Sequence, residues 1–282
     1  MIPKQERLPN LIIIGAMKCA TTSLHYYLSL HPEISMSRVK ELSYFGVDNW
    51  YQGIEWYKSH FTDGSPIRGE ASPNYTNYPQ QKDVATRMYT TIPEAKLIYI
   101  VRDPIKRIFS HYIHHFTRGD DKRTLVKALQ KLDDNNSYVA RSKYYMQLEQ
   151  YLAYYPKQQI FILTTEELYT HRVETLKKVF NFIGVSPSFK SAKFDHIKHP
   201  TREKRCLNKI GQQLTNFSEN HINRYHPGVQ RYLVRMLCYP FSQRVEIPYL
   251  NESLRQDLEQ VLQEDVQKLR AFTGYSFSEW SI

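Results

Sequence analysis

The sequence predicts an α/β fold of the P-loop-like, three-layer kind, with a central parallel sheet flanked by helices. Three observations lead there. Short apolar runs alternate with stretches of helical spacing, as expected of strands buried on both faces and joined by helices. The first run, Leu11 to Ile14, ends at Gly15 and leads through Lys18 to Thr21, Thr22 and Ser23. The second, Leu97 to Val101, ends in Arg102-Asp103-Pro104. Both are places where a strand hands over to a helix, a junction that can bind an anion.

In chain order, Leu11–Ile14 is a short buried strand and Thr22–Leu30 a helix that stops before Pro32. Residues 31–96 are rich in Ser, Tyr, Asn and Pro. They read as an irregular insertion over the ligand crevice, past the carboxyl ends of the strands. Leu97–Val101 is the second strand. Pro104 fits the first turn of the next helix, with Asp103 as its cap. Ile160–Leu163 is a third strand. Glu174–Ile183 has helical spacing and ends at Gly184, and a long helix runs from Ser253 to Phe272 and stops near Gly274. No repeat, low-complexity segment or linker interrupts the pattern, so residues 1–282 are expected to form one domain.

Composition narrows the function. The 282 residues are 41% hydrophobic, enough for a full core. No apolar stretch approaches the ~18–20 residues that span a bilayer. The polar start MIPKQERLPN has no signal-peptide core, so a soluble, cytoplasmic protein is expected. The cysteines Cys19, Cys206 and Cys238 show no C-x-x-C spacing, which argues against a disulfide scaffold or structural zinc; no metal is expected. Cys19 reads as a small filler in the loop. Lys and Arg exceed Asp and Glu by 38 − 28 = 10, which suits an anionic ligand. The charge is spread along the chain without an arginine-rich arm or a nucleic-acid motif, so nucleic acid is not the expected partner.

The first loop departs from the Walker A pattern G-x-x-x-x-G-K-[ST]. Counted from Gly15, the second glycine falls at Ala20 and the lysine position at Thr21, while the lysine present, Lys18, comes three places early. The physics still favours a phosphate-like group. Helix-terminal amides of Cys19, Ala20 and Thr21 onward, the hydroxyls of Thr21, Thr22 and Ser23, and a mobile ammonium at Lys18 converge there. An ordinary helix start with Lys18 on the surface is the alternative. A second anchor follows in Arg102, at a strand end, and Ser110, about two helical turns on. They could clamp a second phosphate, although an arginine so placed also commonly pairs with a carboxylate.

These residues resemble a known family. GAMKCATTSLHYYLSLHPEI, KELSYFG, GEASPNY, IYIVRDPIKRIFSHY and the ending LRQDLEQVLQEDVQKLRAFTGYSFSEW are similar to the sulfotransferases that use 3′-phosphoadenosine 5′-phosphosulfate (PAPS). The nearest branch is that of the heparan-sulfate sulfotransferases and their bacterial relatives. The resemblance implies that the first loop holds the 5′-phosphosulfate of PAPS and that Arg102 with Ser110 holds the 3′-phosphate. Adenosine 3′,5′-bisphosphate (PAP) would be the product. It implies Lys18 as the group on the leaving oxygen and Glu41, in a Lys-Glu-x-x-aromatic-Phe motif, as general base. A surface glutamate paired with Lys40 is the other reading of Glu41.

The same resemblance makes Glu70 the rival base, although Ala71 stands where relatives often have lysine. It sets Tyr145 near the substrate, where core packing is an equal reading. It places the basic stretch 199–207, with Arg205, over the adenine and 3′-phosphate. Ala20 replaces a common glycine. His111, His114 and His115 read as partly exposed helix residues. The acceptor, a small molecule or a glycan, bears a hydroxyl or amine; with no secretory signal, an extracellular polysaccharide is the less expected. A P-loop kinase, with TTEEL as a magnesium site, and a non-catalytic nucleotide- or polyanion-binding module are the competing readings.

Overall fold

The computed structural model describes residues 7–62, 64–195, 205–207, 240, 242–244 and 250–282. Contacts divide the chain into two compact units, residues 1–108, 131–198 and 252–282 in one and 109–130 and 199–251 in the other.

The first unit is built on a five-stranded parallel sheet of order β2-β3-β1-β4-β5. The strands are β1 (Leu11–Gly15), β2 (Ile34–Met36), β3 (Ile67–Ala71), β4 (Lys96–Val101) and β5 (Ile160–Thr164). Helices α1 (Thr21–Ser29), α2 (Ile54–Lys58), α3 (Val84–Thr91), α6 (Ser137–Ala140), α7 (Tyr144–Leu152), α8 (Thr165–Thr170), α9 (Arg172–Ile183) and α10 (Glu252–Thr273) belong to this unit. Helix α4 (Pro104–Arg118) starts in it, and α5 (Leu125–Ala128) belongs to the other. Among the described residues no helix is long and apolar enough to cross a membrane.

Local chemistry explains the boundaries. Burial on both faces makes β1 and β4 continuous apolar runs, and Leu11–Ile14 and Leu97–Val101 are buried throughout. Asp103 caps α4 by accepting from Lys106 N at 3.0 Å, with Pro104 as the first helical residue. Helix α9 ends at Gly184, whose φ of +85° is left-handed. The carboxylate of Asp265 on α10 accepts from the amides of Tyr145 and Met146 at 2.9 and 2.8 Å, so α10 caps α7.

Residues 31–96 differ from the irregular insertion read from the sequence: they contribute β2 and β3, and β3 lies between β2 and β1. The reason is compositional. Strand β3 reads IRGEA, with charges where a buried strand should be apolar. Arg68 is nonetheless buried, its guanidinium donating to the carbonyls of Leu8 and Ser65 at 3.0 Å each. Glu70 is buried as well. At Gly69 a Cβ would lie 2.7 Å from Met36 Sδ, so a larger residue there would have to move the Met36 side chain.

In the second unit, Thr124 caps α5 and Tyr112 donates to the carbonyl of Arg123 at 2.8 Å. Strands β6 (Arg205–Leu207) and β7 (Ser242–Arg244) form an antiparallel pair.

Candidate active site

The first loop is fixed at both ends. A Cβ on Gly15 would lie 2.1 Å from Thr76 Oγ1, so only glycine admits the turn that follows β3. Ala16 N donates to the carbonyl of Ile100 on β4 at 2.7 Å, and Cys19 N to that of Ala16 at 3.1 Å. Lys18 and Ala20 are left-handed, with φ of +73° and +63°. Ala20 caps α1 without a side-chain hydrogen bond to the helix, so no cap side chain answers the first-turn amides. The methyl group that replaces glycine here sits in a conformation that glycine adopts more readily. Thr21 and Ser23 are buried and Thr22 is half-buried. The Ser23 hydroxyl meets hydrogen-bond geometry with no protein atom, although it lies near enough to the phenols of Tyr27 and Tyr169 to favour their ionised forms.

Beneath the loop lie two buried arginines. Arg107 donates to Ser142 Oγ at 2.6 Å, to the carbonyl of Tyr138 at 3.0 Å and, at 3.5 Å, to that of Met17 in the loop. Arg141 donates to the Pro73 carbonyl and Asn74 Oδ1 at 3.0 and 2.9 Å, while its Nε is buried without a partner. Burial and the neighbouring Arg107 push Arg141 down to about 9. Burial pushes the Cys19 thiol up to about 11, against the opposing charges of Arg107 and Arg102 and a 3.6 Å contact with the Tyr144 phenol. Cys19 is therefore a neutral packing residue, and Arg102, at the carboxyl end of β4, is within electrostatic reach of the loop.

Glu41 lies in an irregular segment, but its side chain is 54% exposed and carries the Lys40 ammonium on Oε1. Its backbone is left-handed, φ +65°, and its amide donates to the Ala71 carbonyl at 3.0 Å. Burial, then Lys40, pushes His25 on α1 down to about 4 against the pull of Glu41. A neutral imidazole thus stands in the field of the Lys40–Glu41 pair, with its Nε2 buried and unpartnered.

Glu70 is fully buried and accepts three hydroxyls, from Tyr57, Tyr75 and Ser72, at 2.7, 2.6 and 2.9 Å. Burial raises its pKa, and these three bonds oppose the rise. Tyr145 packs against Phe272, ring centroids 6.3 Å apart, while its neighbour Tyr144 faces Cys19.

Ser110 and His111 are buried on the part of α4 that lies in the second unit. His114 and His115 there are half-buried, and His115 pairs with Asp120 at 3.6 Å. The backbone of Arg205 begins β6, while its side chain and residues 199–204 lie outside the described residues. Among the described residues no group of three or more His, Cys, Asp or Glu side chains could hold a metal.

Sequence reasoning passed over His25, Arg107, Arg141 and Tyr144. Only Arg107 carried a local signal, as the second arginine of RDPIKR.

A loop with an early lysine, helix-terminal amides and hydroxyls suits an anion, and comparison with known proteins shows the family. The family model described as "Sulfotransferase domain" matches residues 8–228. The chain belongs to the sulfotransferase family. Human bifunctional heparan sulfate N-deacetylase/N-sulfotransferase 2 is 28% identical over 203 residues, 64% of this chain and 22% of that protein. The membrane-associated sulfotransferase kil1 of Dictyostelium discoideum is 45% identical over 116 residues, 39% of this chain and 23% of its own. The chain spans under a third of the length of such curated relatives. A sulfotransferase from Alicyclobacillus acidocaldarius has the same fold, with a TM-score of 0.71 at 24% identity over 98% of this chain and 99% of that one. A mouse sulfotransferase solved with PAP superposes with a TM-score of 0.52 at 15% identity, over 98% and 90% of the two chains.

Proposed function

We propose that this sulfotransferase-family chain moves a sulfuryl group from PAPS to a hydroxyl or amine of a glycan. The observation that carries the reading is the loop between β1 and α1. It keeps the strand–loop–helix geometry of a phosphate site and places its lysine early, at a left-handed turn. PAPS, when bound, supplies the sulfuryl group on a phosphate leaving group.

The chain's own residues do the rest. The first-turn amides of α1 and the Thr21, Thr22 and Ser23 hydroxyls bind the 5′ side, with Cys19 and Ala20 setting the backbone. Lys18 donates to the leaving oxygen, where charge grows in the transition state. Arg102 takes the 3′-phosphate, supported by its electrostatic reach to the loop. Ser110 and Arg205 carry their cofactor roles from the motif alone. Glu41, once released by Lys40, accepts the acceptor's proton at a carboxylate oxygen. The glycan class comes from the relatives, which are named for heparan sulfate.

The kinase reading lacks support at both of its requirements. Position 21 is threonine. In TTEEL, Glu167 is used in a capping box with Thr164, and Glu166 accepts from Asp103 N at 3.2 Å. Titration calorimetry with PAP and with ATP, each with and without magnesium, tests the reading. PAP binding without magnesium at micromolar Kd, about −8 kcal/mol, is expected. Tighter, magnesium-dependent ATP binding would replace the proposal with a kinase. Labelled-sulfate transfer to unsulfated and N-desulfated oligosaccharides, with 4-nitrophenol and a fatty alcohol alongside, tests the acceptor class.

A further inference from the structure

We propose that Glu70 is a positioning residue for Glu41, acting through Ser72 and Tyr75 on the backbone that follows the candidate base. The inference rests on the reading of Glu41 as that base.

The segment from Glu41 to Phe45 is an unfavourable piece of chain. Glu41 and Ser43, both with side chains, are left-handed at φ +65° and +47°. Such residues persist only where the surroundings hold them. Three bonds from the strand β3 and the turn after it hold this segment. Glu41 N donates to the Ala71 carbonyl at 3.0 Å. Ser43 N donates to Ser72 Oγ at 2.9 Å, and Phe45 N to Tyr75 Oη at 3.4 Å.

Two of the three acceptors are hydroxyls, and a hydroxyl accepts well only if its own proton points elsewhere. Glu70 supplies that direction. Ser72 donates to its Oε2 at 2.9 Å and Tyr75 to its Oε1 at 2.6 Å. With both hydroxyls donating to Glu70, their lone pairs are left for the two amides. The result is two parallel chains, from Glu70 through Ser72 to Ser43 N and from Glu70 through Tyr75 to Phe45 N.

The same geometry argues against Glu70 as the rival base. It is fully buried and both oxygens are engaged, Oε1 also by Tyr57 at 2.7 Å. An acceptor hydroxyl has no route to either. Tyr57 provides an internal control, because its hydroxyl is bonded to Glu70 and to no amide of residues 43–45.

Amide hydrogen exchange at Ser43 and Phe45 tests the proposal without needing an acceptor. It would be measured in the full chain and in Ser72→Ala, Tyr75→Phe, Glu70→Gln and Tyr57→Phe, with PAP affinity by calorimetry. Ser72→Ala should speed Ser43 exchange at least about ten-fold, and Tyr75→Phe should do the same at Phe45. Glu70→Gln should loosen both, and Tyr57→Phe neither. PAP affinity should stay within about two-fold throughout. With an acceptor from the transfer panel, Ser72→Ala should lower single-turnover transfer about ten-fold, Ser72→Thr should restore it, and Tyr57→Phe should leave it unchanged. If Glu70→Gln does not fold, the Ser72 and Tyr75 variants carry the test alone. Unchanged Ser43 exchange in Ser72→Ala would overturn the relay. Equal loosening in Tyr57→Phe would overturn it too, as general destabilisation. Faster exchange with unchanged transfer would overturn the positioning role, while Glu41→Gln and PAP binding judge the base and the sulfotransferase reading separately.

Discussion

Lys18 and Glu41 stand at opposite ends of the proposed transfer, and their variants should fail differently. In the proposed reading Lys18 lies at the leaving oxygen, so Lys18→Ala should weaken PAP binding and reduce turnover more than it reduces binding. As the proposed base Glu41 would meet the acceptor, so Glu41→Gln should leave PAP affinity unchanged and slow transfer by about 10²–10⁴-fold. Calorimetry and single-turnover transfer separate the two effects. Normal turnover in Glu41→Gln would move the base to another group, and the exposed Lys40–Glu41 pair would then be a surface ion pair only. Arg102→Ala should weaken PAP by about 1.5–3 kcal/mol, as for a hydrogen bond to a charged group. It should weaken adenosine 5′-phosphosulfate, which lacks the 3′-phosphate, far less. Equal losses for both ligands would show that Arg102 does not touch that phosphate.

At the scale of the element, the β1–α1 loop contains its own test. Ala20 holds a left-handed conformation at φ +63°, ψ +21°. That conformation is disfavoured for a residue with a Cβ by about 1–2 kcal/mol, while glycine's extra unfolded-state entropy costs about 0.4–1 kcal/mol. Ala20→Gly should therefore stabilise the protein by about 0.5–1 kcal/mol in urea unfolding, with PAP bound at least as tightly. Loss of stability would show that the methyl group makes a packing contact outweighing the strain.

This loop was legible in the sequence because its signals are local: an apolar strand, a glycine, a lysine and a run of hydroxyls. Strands β1, β4 and β5 were legible for the same reason. Strand β3 was not, because Arg68 and Glu70 break its apolar pattern and their partners include Leu8, 60 residues away from Arg68. His25 and Arg141 escaped notice likewise, since each matters through groups brought near it only by folding. Tyr144 and Tyr145 are adjacent in sequence, and the phase of α7 decided which one meets Cys19.

For the whole molecule, buried ionisable groups set opposing trends with pH. Burial raises Asp265 to about 6 from an ordinary 3.8, and raises Glu70 as well. A raised acid stabilises the fold below its unfolded pKa and loses that contribution as pH climbs through the folded one. His25 runs the other way. Its folded pKa of about 4 lies below the ordinary 6.5, so its contribution is present above 6.5 and is lost as pH falls towards 4. Over the same acidic range, Asp265 favours the lower end and His25 the upper, and the unfolding free energy of the intact protein blends the two. Comparing the protein with His25→Asn isolates one of them. The difference in unfolding free energy between the two should grow as pH rises from about 4 to 6.5 and then level off. Its total change is at most about 3 kcal/mol, at about 1.4 kcal/mol per pH unit. Urea unfolding at half-unit steps from pH 4 to 8 measures it, with all other groups cancelling in the difference. A flat difference would mean that His25 titrates as an ordinary exposed histidine. A difference that shrinks with rising pH would mean that its charged form is the one the fold prefers, held by Glu41 more strongly than burial and Lys40 oppose it.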